Sequence, residues 1–568
     1  MRDTWTPARG AIMLPNLDDD PSRCPTAAPD GTRLSDTVLG ACHDAADEVV
    51  NGTADLADLA RLEMPALRNV SPEGEATVVA DPRSRDKVRI FVERERSWVV
   101  ADRIPAAELR RGVRLAIEAR DVVRNPVVWS GFTDLTLTVT GSGATRTDRV
   151  RLRVAPVLLQ HDLLPLERAV VADPDAPETL EGGNASRKPV PGTRAYRRDL
   201  RRALDDEGLH KPFRLWPAGG DQWMGDMYKP AYASMPGMDG REHRIVVNLR
   251  LPAVMPQVPA RDRPLRDASR PVFTMLRGPG VAGLQQFDAD RVDRPDDNLY
   301  YGSTSSMGNF GTIPPHQGYP AGRIVYGGEG KFAPDTTFTT MLAAQGYQDP
   351  IVVDTSWLGV GHLDEFLHFV PTRNRRGWAA VVADPRQAMT ILQNLARNGG
   401  GNRRLVEGVA PSKTDHPGMT VSQAIRHPAL VSGTRIAARG IDKALRQLRE
   451  QAGITEEDII RVPVLYYEIT VPKGYPRTNV TAAYLPNAAN GISTGTGAYL
   501  APTQHGPRLG GEDAFVRATE KALAKSGVRV HWIEDWDYAH RVGTVGGNIH
   551  CVTNVERSLR NTTPWWKP

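Results

Sequence analysis

Three short segments concentrate residues able to do chemistry: "GGDQWMGDMY" (219–228), "SWLGVGHLDEFLHFVP" (356–371) and "GGNIHCVTNV" (546–555). Each places glycine beside a strand-like run, the arrangement by which a rigid scaffold presents side chains at its rim. Cys551 offers a thiol, which attacks only as thiolate and so calls for a nearby cation or imidazolium. On an extended chain His550 would point away from Cys551, which turns attention to His362. His362 and Asp364 are two positions apart and on a strand would face one ligand together. A thiol beside two carboxylates, Asp226 and Asp364, suits a planar cation with many donors. Guanidinium, with five N–H groups in a forked array, fits that description. Each residue also has an ordinary reading: Cys551 as a small buried thiol, His362–Asp364 as a buried hydrogen bond, Asp226 as a turn residue.

Around these segments the chain divides by texture. From Val88 to Pro156 the pattern is period-two and β-branched, as in "VRIFVERERSWVV", "LTLTVTGSG" and "DRVRLRVAPVLL", which predicts the antiparallel strands of a β-sandwich. A polar, proline-rich stretch, "VVADPDAPETLEGGNASRKPVPGTR", predicts a connection or long surface loop. Beyond it, apolar strands such as "HRIVVNLRLP" and "WAAVVADP" alternate with amphipathic runs such as "RQAMTILQNLARN", "IDKALRQLREQ" and "EDAFVRATEKALAKSG", predicting an α/β region too large for one ordinary core. No sequence period announces a repeat.

Composition narrows the partners. The 568 residues carry a formal net charge of +4 with no block of clustered Lys and Arg, which argues against a nucleic-acid surface. The N-terminus lacks the apolar run of a secretory signal and no stretch is apolar enough to span a membrane, so a cytoplasmic, membrane-free protein is expected. Cys24, Cys42 and Cys551 are too few and scattered for a disulfide framework and are expected as thiols.

In this order and spacing, "GGDQWM", "YPAGRIVYGG", "WLGVGHLDEFLHFVP", "HCVTNV" and a terminal "PWW" resemble the peptidyl-arginine deiminases; "RGAIMLPNLDDD" and "RLRVAPVLL" resemble that family's middle domain and its junction with the catalytic domain. The resemblance implies an α+β, two-domain chain: an immunoglobulin-like β-sandwich over 8–157, then a pentein α/β propeller of five pseudo-repeated modules over 158–568. It implies hydrolysis of peptidyl arginine to citrulline and ammonia, without an organic cofactor. Cys551 is then the nucleophile, His362 the general acid/base, and Asp226 and Asp364 the guanidinium-gripping carboxylates. Trp223 and Val360 line the arginine slot, and Arg263, with Arg261 nearby, meets the substrate backbone. The expected partner is an arginine-containing protein or peptide, a ribosomally made precursor peptide among them.

Calcium divides the two regions. Where the animal enzymes place calcium ligands near the catalytic aspartate, this chain has Gly225, Met227, Lys229, Gly311 and Asn248, and a lysine repels the ion, so catalytic-domain calcium is expected to be absent. Asn16, Asp18, Asp20, Asp55 and Asp58 match positions where the family's middle domain binds calcium. Alternative functions are a deiminase of free arginine or another small guanidine, a non-catalytic calcium- or peptide-binding module, and metal hydrolysis through His531, His540 and His550, whose spacing fits no common zinc pattern.

Overall fold

A computed structural model describes residue 6 and residues 11–567, apart from 142, 174, 176–189, 219, 239, 255–261, 294–298, 411–417, 471–477 and 543–545. Arg261, most of the proline-rich connection and the first expected domain residues, 8–10, lie outside the described residues.

The period-two segments form strands. β1 (Ala11–Met13), β2 (Ala60–Met64), β3 (Glu75–Ala80), β4 (Val88–Arg94), β5 (Ser97–Val100), β6 (Arg103–Pro105), β7 (Val113–Ala119), β8 (Phe132–Val139) and β9 (Arg146–Val154) make two sheets. Their orders are β1-β9-β8-β3-β6 and β2-β7-β4-β5. Alternate residues of both, including Val78, Ile104, Leu135 and Leu152 on one side and Val92, Leu115 and Ile117 on the other, share one core. All neighbours are antiparallel except β1, which runs parallel to β9.

After this β-rich region the fold is mixed α+β with small sheets, and one pairing recurs five times: an antiparallel pair of strands whose inner member takes a third, parallel partner. The first-strand, inner-strand and third-strand triples are 228–236, 242–250 and 281–284; 310–313, 323–327 and 351–353; 367–371, 378–384 and 459–463; 492–493, 498–502 and 529–533; and 554–557, 166–172 and 214–216. The last joins the beginning and end of this region, because its first strand comes from the end of the chain. Helices between strands follow the expected periodicity. Pro385–Leu395 is capped by the Asp384 carboxylate accepting the Gln387 N–H (2.9 Å), and Ala514–Ala524 by Asp513. Helix Pro428–Ala452 stops at Gly453, whose φ of 61° a glycine adopts without strain.

Two expectations fail here. Cys24 and Cys42 are disulfide-bonded, leaving Cys551 as the free cysteine. The intervening residues fold back so that 18 positions of sequence collapse to a Cα–Cα distance of 5.6 Å. Closing a loop of that size stabilises by about 3 kcal/mol in the chain-entropy account. The loop carries Asp36, buried, whose Oδ1 accepts from Arg250 (2.8 Å) and Arg270 (2.9 Å), pinning it onto the end of strand 242–250 and the segment 262–277. Among the described residues no helix is long and apolar enough to cross a membrane. The second failure concerns "GHLDE", which is not a strand: His362 precedes a single 3₁₀ turn, Leu363–Glu365.

Candidate active site

Each of the five first strands is preceded by a turn that delivers a residue to one place. Asp226 lies just before Tyr228, Gly308 before Phe310, His362 and Asp364 before Leu367, Asn490 before Ile492, and Cys551 before Asn554. The turns are tied to one another. Asn490 Nδ2 donates to the Asp364 carbonyl (3.0 Å) and its Oδ1 accepts the Cys551 N–H (3.3 Å); the Gly225 N–H donates to the Cys551 carbonyl (2.9 Å). Glu365 Oε1 accepts the N–H groups of Gly361 (3.0 Å) and His362 (2.9 Å), fixing the 3₁₀ turn.

The resulting cavity, about 280 Å³, is lined by Trp223, Asp226, Val360, His362, Asn487 and Cys551 among others. Asp364 is not among its lining residues but reaches the thiol: Oδ2 lies 3.7 Å from Cys551 Sγ and accepts from His550 Nδ1 at 2.6 Å. His362 Nε2 donates to the Ser303 carbonyl (2.7 Å), so Nδ1 is the ring atom facing the carboxylates, 3.7 Å from Asp226 Oδ1 and 3.9 Å from Asp364 Oδ1. All four residues proposed for chemistry therefore converge. Trp223 and Val360 line the same cavity, while half-exposed Arg263 is not among its lining residues.

Two glycines make room. A β-carbon at Gly308 would stand 2.8 Å from His362 Nδ1, 2.9 Å from Asp364 Oδ2 and 3.3 Å from Asp226 Oδ1; one at Gly547 would stand 2.3 Å from Trp223 Cζ3. Gly308→Ala is thus expected to displace the imidazole or a carboxylate and cut turnover at least about 100-fold, since displacements near 1 Å carry such penalties. Near-wild-type turnover in a folded variant, compared by circular dichroism, would show that the packing tolerates the methyl group.

Burial sets the electrostatics. It raises the Asp226 carboxyl, Asp364 adding repulsion, against the opposing pull of His362 and Arg266. Burial also pushes Asp364 upward, but the His550 hydrogen bond and the neighbouring imidazoles hold it below the usual range. Burial and the neighbouring His368 drive His550 down to about 4, so a neutral ring donates its Nδ1–H to an ionised Asp364. The Cys551 thiol lies well above its ordinary value, through burial first and then through Asp364, Asp226 and Glu365.

Sequence reasoning missed several participants. His550 and Cys551 occupy a turn, not a strand, so both reach Asp364, contrary to the opposite-face expectation. Arg266, three positions after Arg263, pairs with Asp226 at 3.0 Å. Gly308 and Asn490 carry no chemical signature that would single them out. His531, His540 and His550 are not assembled as a metal site: His531 Nε2 meets Glu207 (2.8 Å), His540 Nε2 the Tyr484 carbonyl (3.3 Å), and His550 meets Asp364.

Where the sandwich region meets strand 242–250 and Gly280, Asp18, Asp20 and Asp58 bring oxygens within 4.8 Å of one another. Asn16 Oδ1, Asp18 Oδ1 and Asp20 Oδ2 are buried without a hydrogen-bond partner. Asp55 stands alongside, accepting from Asn16 Nδ2 (2.8 Å) and the Asn51 N–H (2.6 Å).

A thiol, an imidazole and two carboxylates thus cluster beside a cavity with an aromatic wall. A sequence model of the protein-arginine deiminase family (PAD) matches residues 144–567, and the chain belongs to that family. It is 29% identical over 306 residues to protein-arginine deiminase type-4 of Mus musculus, a stretch covering 51% of this chain and 44% of that protein. The Homo sapiens type-4 protein is 28% identical over 305 residues (51% and 44%), and the Mus musculus type-1 protein 27% over 305 residues (51% and 43%). The matched stretch thus spans under half the length of these relatives.

Proposed function

We propose that this protein hydrolyses the guanidinium of peptidyl arginine, giving peptidyl citrulline and ammonia. The clustering of Cys551, His362 and Asp226 on one cavity, with Asp364 3.7 Å from the thiol, in a chain of this family, carries the reading. The guanidinium enters between Trp223 and Val360 and is held by the two carboxylates, with its central carbon facing Cys551 Sγ. Its positive charge offsets the two carboxylates that keep the thiol protonated, so thiolate forms once the substrate is seated. Sγ adds to the carbon as its proton passes to His362 Nδ1; His362 returns that proton to the departing nitrogen, which leaves as ammonia. Water gives one proton to His362 and adds to the thiouronium carbon; the C–S bond breaks, the proton on His362 returns to Sγ, the added hydroxyl loses its proton to solvent, and the resulting neutral urea no longer binds the carboxylates strongly. The five repeated strand triples support a pentein catalytic domain, and the two-sheet core supports an immunoglobulin-like first domain ending near Pro156. Arg263 keeps its proposed contact with the peptide backbone.

Catalytic-domain calcium does not fit the residues present. A second, small cavity of about 50 Å³ is lined by Asp162 and Asp364 but also by Lys229, His368, His550 and Arg557, which offset the two carboxylates and disfavour a divalent cation. The Asp18, Asp20 and Asp58 cluster does fit calcium: several hard oxygens, three of the neighbouring oxygen atoms orphaned, and few cations to balance them. The Cys24–Cys42 disulfide favours an oxidising compartment over the cytoplasm expected from the sequence.

The test is citrulline formation from a blocked arginyl peptide and from free arginine, with chelator or with calcium. Peptide turnover that survives chelator is the expected result. Faster turnover of free arginine would reassign the substrate, strict calcium dependence would overturn the calcium reading, and no product from either would favour a binding module.

A further inference from the structure

Arg266 makes a contact that the chemistry above does not use. Its Nε and Nη2 form a forked pair with Asp221 (2.8 Å each), and its Nη1 donates to Asp226 Oδ2 at 3.0 Å. The Asp221 carboxylate also accepts the Trp223 N–H (3.2 Å), so one carboxylate anchors both the guanidinium and the aromatic wall. The backbone beneath Arg266 is fixed in turn. Ser269 Oγ donates to the Arg266 carbonyl (2.6 Å) and accepts from Arg250 Nε (2.7 Å), and Arg250 is fully buried against Asp36.

We propose that Arg266 is a positioning residue that occupies Asp226 Oδ2, leaving Oδ1, the oxygen beside His362, to meet the substrate guanidinium. This deepens the deiminase reading and rests on it. A carboxylate free to rotate could pair with a substrate guanidinium through both oxygens in several orientations. With one oxygen already taken, the substrate must share a single oxygen of Asp226 with the contribution of Asp364, which sets where its central carbon lies relative to Cys551. Arg266 also opposes the burial that raises the Asp226 carboxyl, favouring the charged form needed for binding. Both carboxylates and the guanidinium are largely sequestered, with side-chain exposures of 23% for Asp221, 16% for Arg266 and 14% for Asp226, so solvent screens the arrangement only partly.

The test measures binding of a blocked arginyl peptide by calorimetry between about pH 5.5 and pH 8 in the Cys551→Ser protein, with and without Arg266→Ala, alongside turnover of the Cys551-containing proteins. Without Arg266, Asp226 should ionise at higher pH. Peptide affinity is then expected to fall at least about tenfold at the acid end and less at pH 8, one pKa unit being tenfold. The acid limb of kcat/KM moves upward with it, and Arg266→Lys restores the pH dependence but not full affinity. Asp221→Asn, which keeps Arg266 but removes its clamp, gives a smaller shift in the same sense and serves if Arg266→Ala does not fold. A uniform loss with an unchanged pH profile would overturn the proposal, as would unchanged binding. Peptide that binds but is never converted, even by wild type, would sink the deiminase reading alone; no binding to the Arg266-containing protein would sink both.

Discussion

Cys551→Ser is expected to lower citrulline formation by on the order of 10⁴ or more while leaving the fold and peptide binding intact. Losses of that size are typical when an activated nucleophile is removed. The geometry makes the case sharper than for an exposed thiol. Sγ lies 3.7 Å from Asp364 Oδ2, and Asp226 and Glu365 add their repulsion, so the empty site disfavours any anion at this position. A serine hydroxyl ionises far less readily than a thiol and would meet the same carboxylates, so seating the guanidinium cannot rescue it. The pair of measurements separates roles: calorimetry should show arginyl-peptide binding retained in Cys551→Ser, because the contacts proposed for the guanidinium come from Asp226, Asp364, Trp223 and Val360. Retained turnover in the variant would move the nucleophile elsewhere.

The same site shows where sequence reasoning reaches and where it stops. Residue type and local spacing raised Cys551, His362, Asp226 and Asp364 as candidates, because thiol, imidazole and carboxylate carry recognisable chemistry, and the resemblance to the deiminases then assigned their roles. The helices at Pro385–Leu395 and Ala514–Ala524 were visible for a related reason, an apolar face at helical spacing behind a capping Asp. Gly308 was not visible: its contribution is the absence of a methyl group beside three functional atoms, which no residue property advertises. Arg266 was not visible either, because its pairing with Asp221 and Asp226 depends on how one loop approaches them. The fivefold pairing was hidden because connections differ so much in length. The inner strand 323–327 reaches its parallel partner 351–353 past the nine-residue helix Thr336–Ala344, whereas 378–384 reaches 459–463 only after the 25-residue helix Pro428–Ala452. Cys24 and Cys42 were misread because a count of cysteines says nothing of two that a folded-back loop brings together.

Calcium is expected to stabilise the protein strongly at pH 8 and little at pH 5, and the acidic cluster explains the direction. Burial, followed by repulsion from neighbouring aspartates, raises Asp18 to about 9. Burial is the leading cause for Asp44, raised to about 7, and for Asp58, raised to about 6 against the opposing His243 contact. In an unfolded chain an aspartate titrates near 3.9. Between roughly pH 4 and pH 9 the cation-free folded state therefore holds more protons than the unfolded state, and its stability falls as pH rises through that window. A divalent cation replaces those protons. It binds best where they are already lost, so the stabilisation it gives grows with pH, reaching about 2.7 kcal/mol at a free concentration a hundredfold above Kd. Asp18→Asn should abolish the calcium response and, without calcium, make the protein more stable than wild type at pH 8, since folding no longer has to bury a carboxyl that must take up a proton or stay charged among other aspartates. Thermal or urea unfolding at both pH values, with calcium and with chelator, measures all of this; equal responses at pH 5 and pH 8, or a full response in Asp18→Asn, would rule out the cluster as the site. Because Gly280 donates its N–H to Asp18 Oδ2 (2.9 Å) and His243 meets Asp58 Oδ1 (2.5 Å), the ion would bind at a seam between the sandwich and the hairpin that follows Asp226. Chelation should therefore appear as lost stability at alkaline pH before it appears as lost turnover.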